Sequence, residues 1–166
     1  MQNAESRDEI HWPLEFQPDQ VKVRVRNEIE INASPERVWA CLIRAEEWPS
    51  FYPNSHDVHL TSEPGPDLKP NTWFRWKTFD LNLVSQVTEF VPPERLAWNG
   101  RGLGTWVCHA WLLRPTDGGG CWVLTEENQH GWLCRLHKFF RPQHMHDQHQ
   151  IWLEALKEKA EAKPPA

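Results

Sequence analysis

Residues 131–162 read GWLCRLHKFFRPQHMHDQHQIWLEALKEKAEA and form the longest stretch of helical periodicity in the chain. The apolar residues of this stretch recur at helical spacings, which places them on one side of a helix: Trp132, Leu136, Phe139, Phe140, Met145, Trp152, Leu153 and Leu156. His149 lies on the same side, and Pro142 bends or breaks the axis because proline removes a helical hydrogen bond. The stretch therefore predicts a long C-terminal helix that covers either packed core or a cavity.

Length and charge indicate a single globular domain. The chain has 166 residues, which suffices for one hydrophobic core but not for two comfortable domains. Its formal charge is -5, which argues against nucleic acid or an anionic membrane as the main partner. No apolar run reaches the roughly 18 residues of a membrane span, and residues 1–9 lack the apolar core of a signal peptide.

The cysteines indicate the cellular compartment of the protein, and the tryptophans indicate the shape of its core. Four cysteines without a CxxC pattern indicate buried thiols in a reducing cytosol, and hence a cytoplasmic protein. The chain has 11 Trp against 7 Phe and 1 Tyr. Because the indole ring is bulky and carries an N–H group, such a composition suits a large concave surface better than a tightly packed core.

The order of predicted elements favours an α+β fold. Residues Val21–Ile31 alternate between apolar and charged, as in a strand with one buried face. Ser34-Pro35-Glu36 then starts a short helix, and a second short helix surrounds Phe51. Six strands are predicted next: His56–Ser62, Thr72–Lys77, Leu81–Val91, Arg95–Asn99, Thr105–Leu113 and Cys121–Gln129. A curved antiparallel sheet must cover its concave face, and only the C-terminal helix is long enough to do so.

Several motifs carry a family resemblance. INASPERVW at 31–39 follows the first strand, Trp48-Pro49 follows the first helix, and Lys69-Pro70-Asn71-Thr72 precedes a strand. With His109-Ala110-Trp111 further on, the chain resembles the START/Bet v 1-like superfamily, also called SRPBCC or polyketide cyclase/dehydrase-like. The resemblance covers residues 21–162, with 1–20 as an N-terminal extension and 163–166 as a tail. It implies a helix-grip fold, in which seven antiparallel strands wrap around the C-terminal helix and enclose an apolar ligand cavity.

The strand alternation predicts which side chains face this cavity. Pairing Leu113 with Cys121 across the glycine turn would bring His109 opposite Thr125. The other face, with Trp106, Cys108, Ala110 and Leu112, is also apolar, so the alternation alone leaves both faces open. The predicted ligand-binding residues are Phe74, Trp76, Leu83, Val87, Trp98, Val107, His109, Trp111, Val123, Thr125, Glu127, Met145, His149 and Trp152.

Three functions are compatible with these expectations. The first is binding of a small hydrophobic, aromatic or polycyclic or lipid-like ligand, in a cavity that should exceed about 300 Å³. The second is a cyclase or dehydratase in which His109 or His149 acts as acid or base and Glu127 orients the imidazole. The third is a module that binds a protein partner through exposed aromatic residues. A monomer or a homodimer fits each of them.

The histidines near the C-terminal helix do not predict a metal site by their spacing. His146 and His149 are three apart, as two ligands on one helix would be, but His144 does not face them. No carboxylate on that face completes a set, since Asp147 points elsewhere. The sequence therefore predicts no metal ion and no other cofactor.

Overall fold

The computed structural model describes residues 10–162 and contains a seven-stranded antiparallel sheet in the order β1-β7-β6-β5-β4-β3-β2. The strands are β1 Val23–Ile31, β2 His56–Leu60, β3 Trp73–Thr78, β4 Leu81–Val91, β5 Arg95–Gly102, β6 Thr105–Pro115 and β7 Cys121–His130. The helices are a short 3-10 helix Leu14–Phe16, α1 Pro35–Leu42, a second 3-10 helix Ala45–Ser50, α2 Trp132–Phe140 and α3 His144–Glu161. This is the α+β helix-grip architecture, and the predicted fold class is confirmed.

The first strand and the first helix form as their sequence dictates. The Ser34 side chain accepts a hydrogen bond from the Arg37 amide at the start of α1, with proline at the first helical position. On β1 the buried face carries Val23, Asn27 and Ile31. The Asn27 amide donates to the backbone carbonyl of residue 146 at 3.1 Å. Helix α3 therefore packs against strand β1.

The C-terminal stretch is two helices, separated around Pro142, because proline cannot continue the hydrogen-bond ladder. The buried side predicted for the first half is wrong: Trp132 is 61% exposed and Phe139 79%. The reason lies at Gly131, which has φ +119 and passes so close to Gly104 that a Cβ would lie 2.1 Å from its carbonyl oxygen. After this bend, α2 presents one face to the cavity and the other to solvent.

Large aromatic side chains fill most of the concave face. Trp152 of α3 stacks on Tyr52, with ring centroids 4.5 Å apart and planes 8° from parallel. It also makes edge contacts with Trp48 at 5.2 Å and Trp111 at 5.0 Å. The Trp48 indole donates to the Leu42 carbonyl at 2.9 Å, which fixes the second 3-10 helix against this cluster. The expectation that tryptophans would line an open concavity is therefore wrong for much of the sheet.

The convex face of β6 is buried as well, under the chain that precedes β1. Phe16 is fully buried and packs edge-on against Trp106 at 4.9 Å. Ile10 covers Ala110 and Leu112 in the same way. Both faces of β6 are apolar for this reason, which explains why alternation could not distinguish them. The remaining parts of the predicted extension and tail, 1–9 and 163–166, lie outside the described residues.

The predicted register of the β6–β7 hairpin is wrong by two residues. Leu113 pairs with Val123, and β6 continues to Pro115, which pairs with Cys121. The turn is tighter than expected because the Thr116 amide donates to the carbonyl of residue 120 at 3.0 Å. A shift by two keeps every side chain on its predicted face. It nevertheless changes the partners of the polar residues described below.

Two further findings concern strand β5 and the helices. Gly100 and Gly102 belong to β5 and pair with β6. No helix within residues 10–162 is long and apolar enough to span a membrane.

We expect Trp152→Ala to lower the free energy of unfolding by about 3–5 kcal/mol, because it removes the ring at the centre of the aromatic cluster. Chemical denaturation followed by far-UV circular dichroism measures this loss. Phe139→Ala removes an aromatic ring that is 79% exposed, and it should change the free energy by no more than about 0.5 kcal/mol. Equal effects of the two substitutions would contradict the described packing.

Candidate functional site

A cavity of about 140 Å³ remains between the sheet and the two C-terminal helices. Its apolar wall includes Trp76, Leu83 and Val107 from the sheet and Met145 from α3. Helix α2 contributes residues 133, 134 and 137 to the opposite side. The cavity lies at the α2 end of the concave face, where the aromatic cluster ends.

The mouth of the cavity is formed by the β3–β4 turn and by the break between α2 and α3. Phe79 lies in this turn with φ 50, an unusual conformation for an aromatic residue. Its ring contacts His137 and His144, with centroids 5.8 and 5.5 Å away. The two histidines are themselves joined, with His137 Nε2 and His144 Nδ1 2.9 Å apart. The helix break at Pro142 thus positions the side chains that narrow the entrance.

The inner end of the cavity is polar. Glu127 and His149 line it, and His149 Nε2 lies 3.5 Å from Glu127 Oε2. The Gln129 amide donates a short hydrogen bond to Glu127 Oε1. His149 is 1% exposed, and its Nδ1 atom has no hydrogen-bond partner among residues 10–162. Polar groups are thus buried at one end of an otherwise apolar space.

His109 supports this end from behind, outside the cavity wall. Its Nδ1 atom lies 3.0 Å from Glu127 Oε2, and its Nε2 atom lies 2.7 Å from Thr125 Oγ1. The two imidazoles stack, with centroids 4.9 Å apart and planes 14° from parallel. His109 lies directly opposite Glu127 in the sheet, not opposite Thr125 as predicted, and Val107 lies opposite Gln129.

Burial and mutual contact shift the acidities of this cluster. Burial alone would raise the pKa of the Glu127 carboxyl, but the contacts with His109 and His149 outweigh it and hold the pKa below its usual range. For His109, burial dominates and lowers the pKa below its ordinary value, although the neighbouring carboxylate opposes this.

The structure places the predicted site residues in two groups. Half of the predicted ligand-binding set lines the cavity: Trp76, Leu83, Val107, Glu127, Met145, His149 and Trp152. The other half faces the same interior but is not part of the cavity wall: Phe74, Val87, Trp98, His109, Trp111, Val123 and Thr125. They do not line the cavity because the aromatic cluster closes the concave face around them. Their contact with a ligand stays a prediction.

Other wall residues were missed by the sequence reasoning. Thr78 and Leu81 continue the alternation of β3 and β4, and Thr105 and Gln129 continue that of β6 and β7, so a longer reading of the pattern would have found them. A last group comes from a turn and from helices, where no periodicity points to the cavity: Tyr52, Phe79, Leu133, Cys134 and His137.

The cavity is smaller than expected. Its volume of about 140 Å³ falls below the roughly 300 Å³ at the lower end for ligand pockets, so that expectation is wrong. A cavity of about 150 Å³ lined by apolar residues is nevertheless large enough to take up benzene. The space seen here therefore suits a single ring rather than a polycyclic ligand.

Comparison of the sequence with known families gives a match over residues 22–160 to the family described as polyketide cyclase / dehydrase and lipid transport. The chain belongs to this family. The family description names activities that act on small molecules, so a ligand-binding or cyclase role is supported in general. The predicted resemblance to the SRPBCC and Bet v 1-like superfamily is confirmed. No curated protein matches the chain.

Solved structures support the fold. The hypothetical protein jhp0584 from Helicobacter pylori has a TM-score of 0.87 and 29% identity, covering 92% of this chain and 96% of that one. The di-domain ARO/CYC protein BexL of the BE-7585A biosynthetic pathway has a TM-score of 0.68 and 19% identity, covering 86% and 51% respectively. Norcoclaurine synthase from Thalictrum flavum has a TM-score of 0.67 and 13% identity, covering 86% and 95%. At these identities the last two relatives show the fold alone.

We expect Thr125→Val to lower the free energy of unfolding of this protein by about 1–3 kcal/mol. The substitution keeps the shape of the side chain but leaves His109 Nε2 buried without its partner. Thermal and chemical denaturation measure the loss. Thr88→Val makes the same change at an exposed position, and it should stay within about 0.5 kcal/mol. A neutral Thr125→Val would show that the contact with His109 contributes nothing.

Proposed function

We propose that this protein binds a small, mainly hydrophobic molecule about the size of one aromatic ring in the cavity between the sheet and the C-terminal helices. The observation that carries the proposal is the pairing of an apolar wall with a buried polar end. Glu127, Gln129 and His149 form that end, while Trp76 and Leu83 belong to the apolar wall. Ligand sites commonly combine a hydrophobic lining with a few placed polar groups.

The polar end gives the proposed ligand an orientation. A hydroxyl or amide group on the ring would donate to the Glu127 carboxylate, and the ring itself would lie against the indole of Trp76. The mouth at Phe79 and His137 then closes behind it. A polycyclic or lipid-like ligand would require α2 and the β3–β4 turn to move apart, so we assign the single-ring class to the conformation described.

We expect 4-methylphenol to bind saturably to the wild-type protein and more tightly than toluene, which lacks the hydroxyl group. Val107→Phe should weaken this binding at least about tenfold, a cost of about 1.4 kcal/mol, because the larger side chain occupies the cavity. Isothermal titration calorimetry measures both effects.

The matched control is Val84→Phe, the same exchange on the opposite face of the sheet in β4, where the residue is 45% exposed. It should leave the affinity for 4-methylphenol unchanged. Absence of saturable binding to the wild type, or equal binding by Val107→Phe, would contradict the proposal. Circular dichroism of each variant separates a filled cavity from a lost fold.

The buried imidazole–carboxylate pair favours a second candidate, a dehydratase or cyclase. His149 lines the cavity, whereas His109 lies behind Glu127, so His149 is the residue placed to meet a substrate. Its imidazole would remove the proton next to a ketone, and the hydroxyl group on the adjacent carbon would leave as water after protonation. Glu127 would stabilise the imidazolium that forms.

For this candidate, we expect the protein to convert an aryl β-hydroxyketone to the conjugated enone, followed by its ultraviolet absorbance. His149→Gln should lower kcat by about 10²–10⁴-fold, the usual contribution of general acid–base catalysis. The same variant should hold the Kd for 4-methylphenol within a few fold. Saturable binding without turnover by the wild type would leave the binding role and remove the enzymatic one.

A further inference from the structure

Three potential ligand atoms converge behind the inner end of the cavity. His109 Nδ1 and Glu127 Oε2 are 3.0 Å apart, His149 Nε2 and Glu127 Oε2 are 3.5 Å apart, and all three atoms lie within 4.8 Å of one another. Nitrogen and oxygen ligands bound to Zn²⁺ at about 2.0–2.1 Å in a tetrahedral site are themselves roughly 3.4 Å apart. The two separations from Glu127 are close to this spacing, and the two imidazole nitrogens lie within 4.8 Å of each other.

The contact between His109 and Glu127 lacks the geometry of a hydrogen bond. Although Nδ1 is 3.0 Å from the carboxylate, it has no hydrogen-bond partner within the described part of the chain. On the other side of the ring, Nε2 meets Thr125 Oγ1, and that hydroxyl is 3.5 Å from the Ala110 carbonyl. When the hydroxyl donates to this carbonyl, it accepts from Nε2–H, and Nδ1 then presents a lone pair to an anionic oxygen.

Two acceptors that face each other in a buried space repel unless a proton or a cation lies between them. A metal ion would bond to the lone pairs of both atoms and to His149 Nε2. It would also neutralise a carboxylate on a side chain that is only 7% exposed. The cluster therefore has the arrangement of a cation site.

Neighbouring side chains orient the proposed ligands, as is usual at metal sites. Thr125 orients the imidazole of His109, and Gln129 donates to the second oxygen of Glu127. Such outer contacts set the tautomer of a histidine and the orientation of a carboxylate at a metal centre. Each ligand also comes from a rigid element, β6, β7 or α3, rather than from a loop.

We propose that His109, Glu127 and His149 form a binding site for a divalent transition-metal ion of the Zn²⁺ class. Two imidazoles and one carboxylate suit Zn²⁺ and its first-row neighbours, whereas Mg²⁺ and Ca²⁺ prefer oxygen ligands. Because Glu127 and His149 also line the cavity, the fourth ligand would come from a water or from the polar group of a bound molecule. The site does not depend on the proposed function, since the three protein ligands and a water bind the ion without an organic molecule in the cavity.

The spacing of histidines along one helix did not predict this site, because its ligands come from β6, β7 and α3. His144 pairs with His137 at the mouth of the cavity, and His146 is exposed. The three proposed ligands are 18 and 22 residues apart in the chain (109 to 127, and 127 to 149). Only the pairing of β6 with β7 and the seating of α3 bring them together.

The test uses Co²⁺, whose visible absorption reports coordination by nitrogen and oxygen ligands. Metal-free protein at neutral pH, with no organic ligand added, is titrated with Co²⁺ and then with Zn²⁺ as competitor. We expect one ion per chain, a visible band typical of four or five ligands, and displacement by Zn²⁺ but not by Mg²⁺. Glu127→Gln keeps the size of the side chain and should lower the affinity by more than the roughly 10–100-fold cost of losing an outer partner.

The matched control is His144→Ala, which removes one member of the histidine pair at the mouth and should leave the Co²⁺ band and its affinity unchanged. Three results would overturn the proposal: no band with the wild type, an undiminished affinity in Glu127→Gln, or loss of the band in His144→Ala. Binding of 4-methylphenol to metal-free protein is measured separately. Failure of the metal site is therefore distinguishable from failure of the proposed function.

Discussion

The concave face of the sheet is too wide for one helix to fill, and the rest of the structure depends on how that space is closed. Trp152 closes most of it by stacking on Tyr52 and meeting Trp48 and Trp111 at their edges. Aromatic rings bury large areas and favour such edge and stacked contacts. Beyond this cluster the concavity stays open, so the packing of α3 determines both the position and the size of the cavity.

The polar cluster at the inner end is the second constraint. A carboxylate that is 7% exposed loses most of its hydration and must be compensated by neighbouring groups. His109, His149 and Gln129 surround Glu127 and do so in part. We connect this cluster with function because the Glu127 carboxylate is buried beside so many tryptophan side chains. Ligand orientation, proton transfer and metal binding would all use the Glu127 carboxylate. They differ in the group that contacts it: a ligand hydroxyl, an imidazolium or a metal ion.

The break between α2 and α3 connects the cavity with the exterior. It brings His137 and His144 together and places both against Phe79, so two helices and one strand turn meet at the mouth. The bend at Gly131, not this break, turns Trp132 and Phe139 towards solvent. The break therefore determines which side chains narrow the entrance.

Much of the fold follows from the sequence alone. Alternation in β1, the Ser34-Pro35 helix start and the order of the strands predict the helix-grip architecture, because period and capping are local properties. The helical pattern also places His149 on the apolar side, whereas alternation alone left the face of Glu127 open. The tertiary structure alone decided the rest: the bend at Gly131 turned α2 outwards, the tight turn after Pro115 moved the β6–β7 register by two, and tryptophan packing closed the concave face around half of the predicted wall residues. These outcomes depend on volumes and on contacts between distant segments, and no local pattern of residues encodes them. The stretch 131–162 thus predicted that a helix would close the sheet, while packing decided how much space it would leave.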